Sequence, residues 1–117
     1  MWARNASIFE TRSWANALTD CNGLTLGGHN DWRLPNVKEL QSLIDFAFYR
    51  PALSNDAGTG KWLEGNAFTG VQSNAYWTST TYAANTGYAW GVSLYNGYVY
   101  DGHKSNTYYV WPVRGGQ

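Results

Sequence analysis

Asp31-Trp32-Arg33-Leu34-Pro35-Asn36-Val37-Lys38-Glu39-Leu40 is the stretch from which the rest of the chain can be read. Asn36 opens a helix, and Glu39, three residues on, completes the spacing of a capping box. Val37, Leu40, Leu43, Ile44 and Ala47 then follow as one buried helical stripe. Before the helix, Asp31 reads as a turn or helix cap and Trp32 as a core residue under a sheet. Arg33 reads as the partner of Glu39 or of a backbone carbonyl.

Upstream lies a second helical pattern. Trp14, Ala17, Leu18 and Cys21 fall at i, i+3, i+4 and i+7, with Thr11 or Ser13 to cap the start and Gly23 to stop the end. Residues 1–10 mix Trp2, Ile8 and Phe9 with polar residues and read as an extended arm or first strand. Gly27-Gly28-His29-Asn30 is a turn.

Downstream, residues 49–70 are broken by Pro51, Gly58, Gly60, Gly65 and Gly70 and hold no period. They read as a long loop pinned by Leu53, Trp62, Leu63 and Phe68, of a length that tends to be functional or mobile. Strands begin at Tyr76-Trp77-Thr78-Ser79-Thr80-Thr81-Tyr82. Tyr88, Trp90, Val92 and Leu94 alternate with Ala89, Gly91 and Ser93, giving one apolar and one small face. Asn96-Gly97 signals a two-residue hairpin, and Tyr108 to Trp111 returns as a strand that Pro112 places at an edge or bulge. Two helices followed by an antiparallel meander make an α+β fold.

Composition narrows the function. The 117 residues, 1–117, read as a single domain with zero formal net charge and 14% charged residues. That leaves no basic footprint for nucleic acid or an anionic membrane, and makes a sulfated polyanion a poor default partner. No apolar run reaches the length of a membrane span, and Met1-Trp2-Ala3-Arg4 does not lead into a signal-peptide core. The alternatives are an intracellular protein or a module of a longer chain, and the aromatic richness favours the module. Cys21 is the single cysteine and reads as an inert small hydrophobe on the first helix.

The last third, Asn74 to Gln117, carries eleven aromatics and no Phe, Ile, Met or Glu. Tyr and Trp set among Ser, Asn and Gly give rigid contact area beside adaptable hydrogen bonding, the composition of a recognition surface. The competing reading is that Tyr and Trp simply suit strands. The ligand-binding candidates are Tyr82, Asn85, Tyr88, Trp90, Tyr95, Asn96, Tyr98, Tyr100, Asp101, His103, Asn106 and Tyr108. Alternation puts Val92 and Leu94 in the core, and turns Tyr98 and Tyr100 outward if Val99 is core.

Catalysis finds little support. His29 and His103 sit in turn-like polar segments without a nucleophile motif, and no CxxC, HExxH or P-loop is present. No cofactor or metal is expected. The carboxylates are too sparse for a strong calcium site, with Asn30-Asp31 and Asp56 the only oxygen ligands worth considering.

Three stretches together resemble one family. They are Ala17-Leu18 with Cys21-Asn22-Gly23-Leu24, then Gly28 to Leu43 with Asp31-Trp32-Arg33-Leu34-Pro35 inside it, and Tyr76-Trp77-Thr78-Ser79-Thr80 with the closing Val113-Arg114-Gly115-Gly116. This resembles the Legionella collagen-like protein C-terminal domain family of bacterial surface, secreted and phage-related proteins, and implies a C-type lectin-like fold. The Arg-Leu-Pro-x-x-x-Glu element also resembles the formylglycine-generating-enzyme type of that fold, where the Arg and Glu are structural. It implies that structural role for Arg33 and Glu39 alone; Trp32 is counted as structural from its core reading. That enzyme's cysteine pair is missing here, so its activity is not implied. The fold also implies a likeness to variable proteins of diversity-generating retroelements, with Tyr95, Asn96, Tyr98, Tyr100, Asp101, His103, Ser105 and Asn106 of the diversified kind. Family members often carry a Cys before the final Val-Arg; here Trp111-Pro112 stands there, leaving Cys21 single. The resemblance implies a non-catalytic module at a cell surface or virion, within a larger protein, binding a protein or receptor. The alternatives it leaves are a glycan-binding adhesin and a structural module, with a homotrimer as in the collagen-like relatives.

Overall fold

Asn36 and Glu39 close the box that their spacing predicts. Asn36 Oδ1 accepts from the Glu39 N–H at 2.8 Å, and Glu39 Oε1 accepts from the Asn36 N–H at 2.9 Å. These distances come from a computed structural model that describes residues 1–49, 51–55, 59–65 and 68–115. The helix so opened, α2 (Val37–Gln41), is shorter than its apolar stripe suggests. Leu40 is fully buried, but Leu43 and Ile44 lie half-buried in the turns beyond it and Ala47 is exposed. Local bonds end the helix: Ser42 Oγ donates to the Glu39 carbonyl, and the Asp45 side chain accepts from the Ala47 N–H.

The earlier helix, α1 (Trp14–Asn22), starts after Ser13 and stops at Gly23, with Ala17 and Cys21 buried. Burial, with the neighbouring Asp20 charge adding to it, pushes the Cys21 thiol up to about 12. At neutral pH it is protonated and inert.

Seven short strands stand beside the helices among the described residues. β1 (Thr11–Arg12), β3 (Ala75–Thr81), β4 (Tyr88–Ser93), β5 (Val99–His103) and β6 (Tyr108–Tyr109) form a sheet in the order β1-β6-β3-β4-β5. β2 (Trp32–Arg33) and β7 (Val113–Arg114) make a separate antiparallel pair. The simple meander is therefore corrected: β6 does not lie beside β5 but crosses to pair with β3, in parallel, at Tyr76–Tyr109. Val110 and Trp111 follow it and are fully buried. An outer position would have left them in water.

The Asn96-Gly97 hairpin is corrected too. Pairing ends at Ser93, whose carbonyl accepts from Gly97 and whose N–H donates to Tyr98, so the loop is 94–97. Leu94 is fully buried, its N–H bonded to the Asn74 carbonyl and its carbonyl to the Ala52 N–H, which takes it out of the ladder. Gly97, at φ +83°, lets the loop lie on Ile44 and Phe46; a Cβ there would come within 2.6 Å of Ile44.

Both faces of the sheet are used. Tyr76 and Val92 pack with Leu40, Leu94, Trp32 and Trp111 in one cluster. Trp77 and Ala89 pack with Ala17, Cys21, Leu34 and Val110 in the other. The small face of β4 is thus core as well: Ala89 and Gly91 are buried, the space above Gly91 being taken by the Tyr100 ring.

The aromatic polar groups have work inside the fold. Trp111 Nε1 donates to the Ala3 carbonyl, the Tyr76 hydroxyl to Ala6 and Trp77 Nε1 to Arg12, each at 2.8 Å. Residues 1–12 are laid along the core by these three bonds, with bridges at Trp2–Val113 and Asn5–Thr69. Leucine is as apolar but would leave those carbonyls without a donor. Of the loop anchors, Leu53 and Trp62 are buried and Phe68 meets Trp111 edge-on at 4.9 Å, whereas Leu63 is 70% exposed and anchors nothing. Gly58 and Asp56 lie outside the described residues.

Candidate recognition surface

The site begins with an irregularity in β3. Trp77 pairs with Gly91 and Thr81 with Ala89, so residues 78–80 stand opposite Trp90 alone. Such a bulge aims side chains and leaves backbone groups to be satisfied elsewhere. Thr78 is fully buried; its hydroxyl donates to the Trp90 carbonyl at 2.6 Å and accepts from the Thr80 N–H at 3.2 Å. Trp14 Nε1 donates to the Thr78 carbonyl, the Ser79 N–H to the Pro35 carbonyl, and the Val37 N–H to Thr80 Oγ1. The Leu34-Pro35-Asn36-Val37 and Thr78-Ser79-Thr80 segments therefore meet at this bulge, and both helix starts are tied to it.

What the bulge holds in place is Trp90. On the ladder, Val92 faces Val99 within the first core cluster; the next pair on the same face is Trp90–Asp101, and the next Tyr88–His103. Tyr82 stands edge-on to Trp90, ring centroids 5.0 Å apart at 89°, and Tyr88 edge-on to His103 at 5.2 Å. Asn85 sits exposed in the connecting turn, its Oδ1 accepting from Gly87. Tyr82, Tyr88 and Trp90 are half-buried; Asp101 and His103 are exposed. Five sequence candidates, Tyr82, Tyr88, Trp90, Asp101 and His103, thus form one aromatic shelf, with Asn85 in the turn next to it.

A second group sits at the β4–β5 loop. Tyr98 is 68% exposed, Tyr95 is also exposed, and Asn96 accepts from the Tyr98 N–H. Phe46 and Tyr49, which the sequence reading missed, join them: both are exposed, Phe46 lies beside Gly97, and Tyr49 is edge-on to Tyr95 at 6.2 Å. The available signal was that neither residue falls on the apolar stripe of the second helix.

The third group lies on the opposite face. Tyr100 covers Gly91 and Tyr108 covers Gly102, where a Cβ would come within 2.6 Å of each ring. The two rings meet edge-on at 5.6 Å, Tyr108 also lies 4.5 Å from Trp77, and Asn106 donates to the Tyr108 hydroxyl. Tyr100 therefore does not project freely outward as alternation suggested. Its phenol oxygen is buried without a partner among the described residues, and burial raises its pKa.

The structural trio sits at the other sheet. Trp32 is 5% exposed, its indole N–H bonded to Leu26. Arg33 grips Glu39 with two bonds of 2.7 Å and also donates to the Gly115 carbonyl. The Arg33 bonds hold the Glu39 carboxyl below its ordinary value of 4.5. A carboxyl depressed in the folded state stabilises above its unfolded value and loses that contribution as pH falls through the folded one. The urea midpoint should therefore drop between about pH 5 and pH 3. Glu39→Gln should start lower at neutral pH and show a shallower drop; equal slopes would mean the pair contributes nothing. Asp31 adds to the slope, since its bond to Arg114 lowers its pKa in the same sense. That ion pair occupies one of the two calcium candidates; the other, Asp56, lies outside the described residues. Among the described residues no three His, Cys, Asp or Glu side chains come together.

The profile of the Lcl C-terminal domain matches residues 1–114. The chain belongs to that family. No curated protein matches it. The Lcl C-terminal domain is that of a collagen-like surface protein, and among the described residues no helix is long and apolar enough to cross a membrane. Within this Lcl domain the Arg33–Glu39 clamp and the Thr78 bulge build the scaffold, and the shelf is the largest convergence of the candidate residues upon it.

Proposed function

We propose that this Lcl C-terminal domain is a non-catalytic recognition module that binds a protein on a cell surface through the aromatic shelf. One observation carries the reading: Tyr82, Tyr88, Trp90, Asp101 and His103 share one face of β4–β5 and its rim, partly open to solvent, with Trp90 held from behind by Thr78. Half-buried Trp and Tyr beside a few polar groups are the side chains that dominate protein interfaces. A glycan is the second reading, because the Asp101 carboxylate stands directly across the ladder from the Trp90 indole. That pairing offers a flat face and a hydroxyl acceptor to a neutral sugar. Retroelement diversification would act on the exposed Tyr95, Tyr98, Asp101, His103, Ser105 and Asn106. It requires a reverse-transcriptase gene and an imperfect 3′ repeat beside the coding region, and falls if neither is there.

The test is capture of the labelled domain on a panel of intact cells pretreated with protease or with glycosidases, with Trp90→Ala alongside. A protein ligand gives protease-sensitive capture that Trp90→Ala weakens by about thirtyfold or more. Loss on glycosidase treatment alone moves the assignment to glycans. Capture that Trp90→Ala leaves unchanged removes the shelf as the site.

A further inference from the structure

Away from the shelf, the N-terminal arm and the β2 region line an open pocket of about 430 Å³. Its walls are mostly apolar, with Trp2, Ile8, Leu26, Trp32 and Met1 among them, and none of its lining residues belongs to β3, β4, β5 or β6. Arg4 lines it as well. Its guanidinium is exposed and has no ion-pair or hydrogen-bond partner among the described residues. Arg33 and Arg114, by contrast, are both engaged with carboxylates.

We infer that this pocket binds a soluble anionic amphiphile, its apolar chain between the two tryptophans and its acid group on Arg4. A concave, largely apolar pocket of a few hundred cubic ångströms with a few placed polar groups is the usual form of a small-molecule site, and Arg4, Asn5 and Thr69 are the polar residues of this one. The apolar walls supply affinity by releasing water from the chain. Arg4 supplies the sign of the headgroup, since a guanidinium pairs with a carboxylate or sulfate through two parallel bonds. The inference stands apart from the shelf and does not depend on it.

Decanoate and decyltrimethylammonium, each below its micelle-forming concentration, and decanol below its solubility limit would be titrated against the domain. Tryptophan fluorescence reads binding, since Trp2 and Trp32 line the pocket, and calorimetry reads stoichiometry. Decanoate should bind saturably at one per chain, ahead of decanol, with the cation weakest. Arg4→Gln should weaken decanoate about fivefold, the size of an exposed ion pair, and bring it level with decanol. Ile8→Asp should abolish binding of all three with the melting transition retained. If that variant does not fold, the ligand series and Arg4→Gln decide by themselves. No saturable binding, an Arg4→Gln ranking like the wild type's, or binding to phosphatidylglycerol vesicles without binding of decanoate would each overturn the inference.

Discussion

Trp111→Ala is expected to lower the unfolding free energy by about 3–5 kcal/mol, the cost of removing a fully buried large aromatic from a close-packed core. Trp111 is fully buried and lies within ring contact of Trp2 at 5.3 Å, Phe68 at 4.9 Å and Tyr76 at 6.0 Å, all in one cluster. Its removal also leaves the Ala3 carbonyl without the indole N–H that now reaches it. Domains of this size have only about 5–15 kcal/mol in total, so the variant should unfold at markedly lower urea. Trp111→Phe separates the two contributions. It keeps most of the ring contact and loses the donor, and should cost about 1–3 kcal/mol for the stranded carbonyl. The arm should loosen first, seen as early amide exchange at Ala3 and Ala6, whose N–H groups bond Pro112 and Thr69. Unchanged urea midpoints in both variants would mean that the arm is not held through Trp111.

Thr78→Val carries the second large effect, of about 2–3 kcal/mol, although it removes no volume. The cost is polar: the Trp90 carbonyl loses its 2.6 Å donor and the Thr80 N–H loses its acceptor, both bonds being made by the fully buried Thr78 hydroxyl. An unmet buried group costs about 1–3 kcal/mol; these two are half-buried and fall at the low end, and valine offers neither partner. Since Thr80 Oγ1 in turn accepts from the first N–H of α2, at Val37, the loss should propagate to that helix end. Thr78→Ser retains both bonds and should recover most of the stability. A Val variant as stable as the Ser variant would mean that the Thr78 hydroxyl does not hold the bulge.

What could be read from residues alone followed the range over which each signal acts. The capping box, the end of α1 at Gly23 and the Arg33–Glu39 pair are local, settled within a turn or two of chain, and all three formed as read. The length of α2 was not legible, because the bond from the Asp45 N–H to the Ala52 carbonyl depends on chain that shows no period of its own. Nor was the place of β6, because parallel pairing with β3 is decided by the burial of Val110 and Trp111, not by turn residues. The aromatic third of the chain misled in an instructive way. Tyr76, Trp77 and Trp111 are core residues chosen for their polar ends, and Tyr100 and Tyr108 fill the space above glycines. Alternation separates none of these from Tyr88 and Trp90; only the pairing across β4 and β5 does.

Two tryptophans divide the labour: Trp111 holds the fold together, and Trp90 is proposed to face the ligand. The most direct test measures thermal unfolding and cell-surface capture on the same preparation of Trp90→Ala. The expected result is a loss of about 1–2 kcal/mol of stability, the worth of a half-buried ring with one edge-on neighbour, together with near-complete loss of capture. A drop in stability as large as that of Trp111→Ala, with capture by the folded fraction unchanged, would contradict it and make Trp90 one more core aromatic.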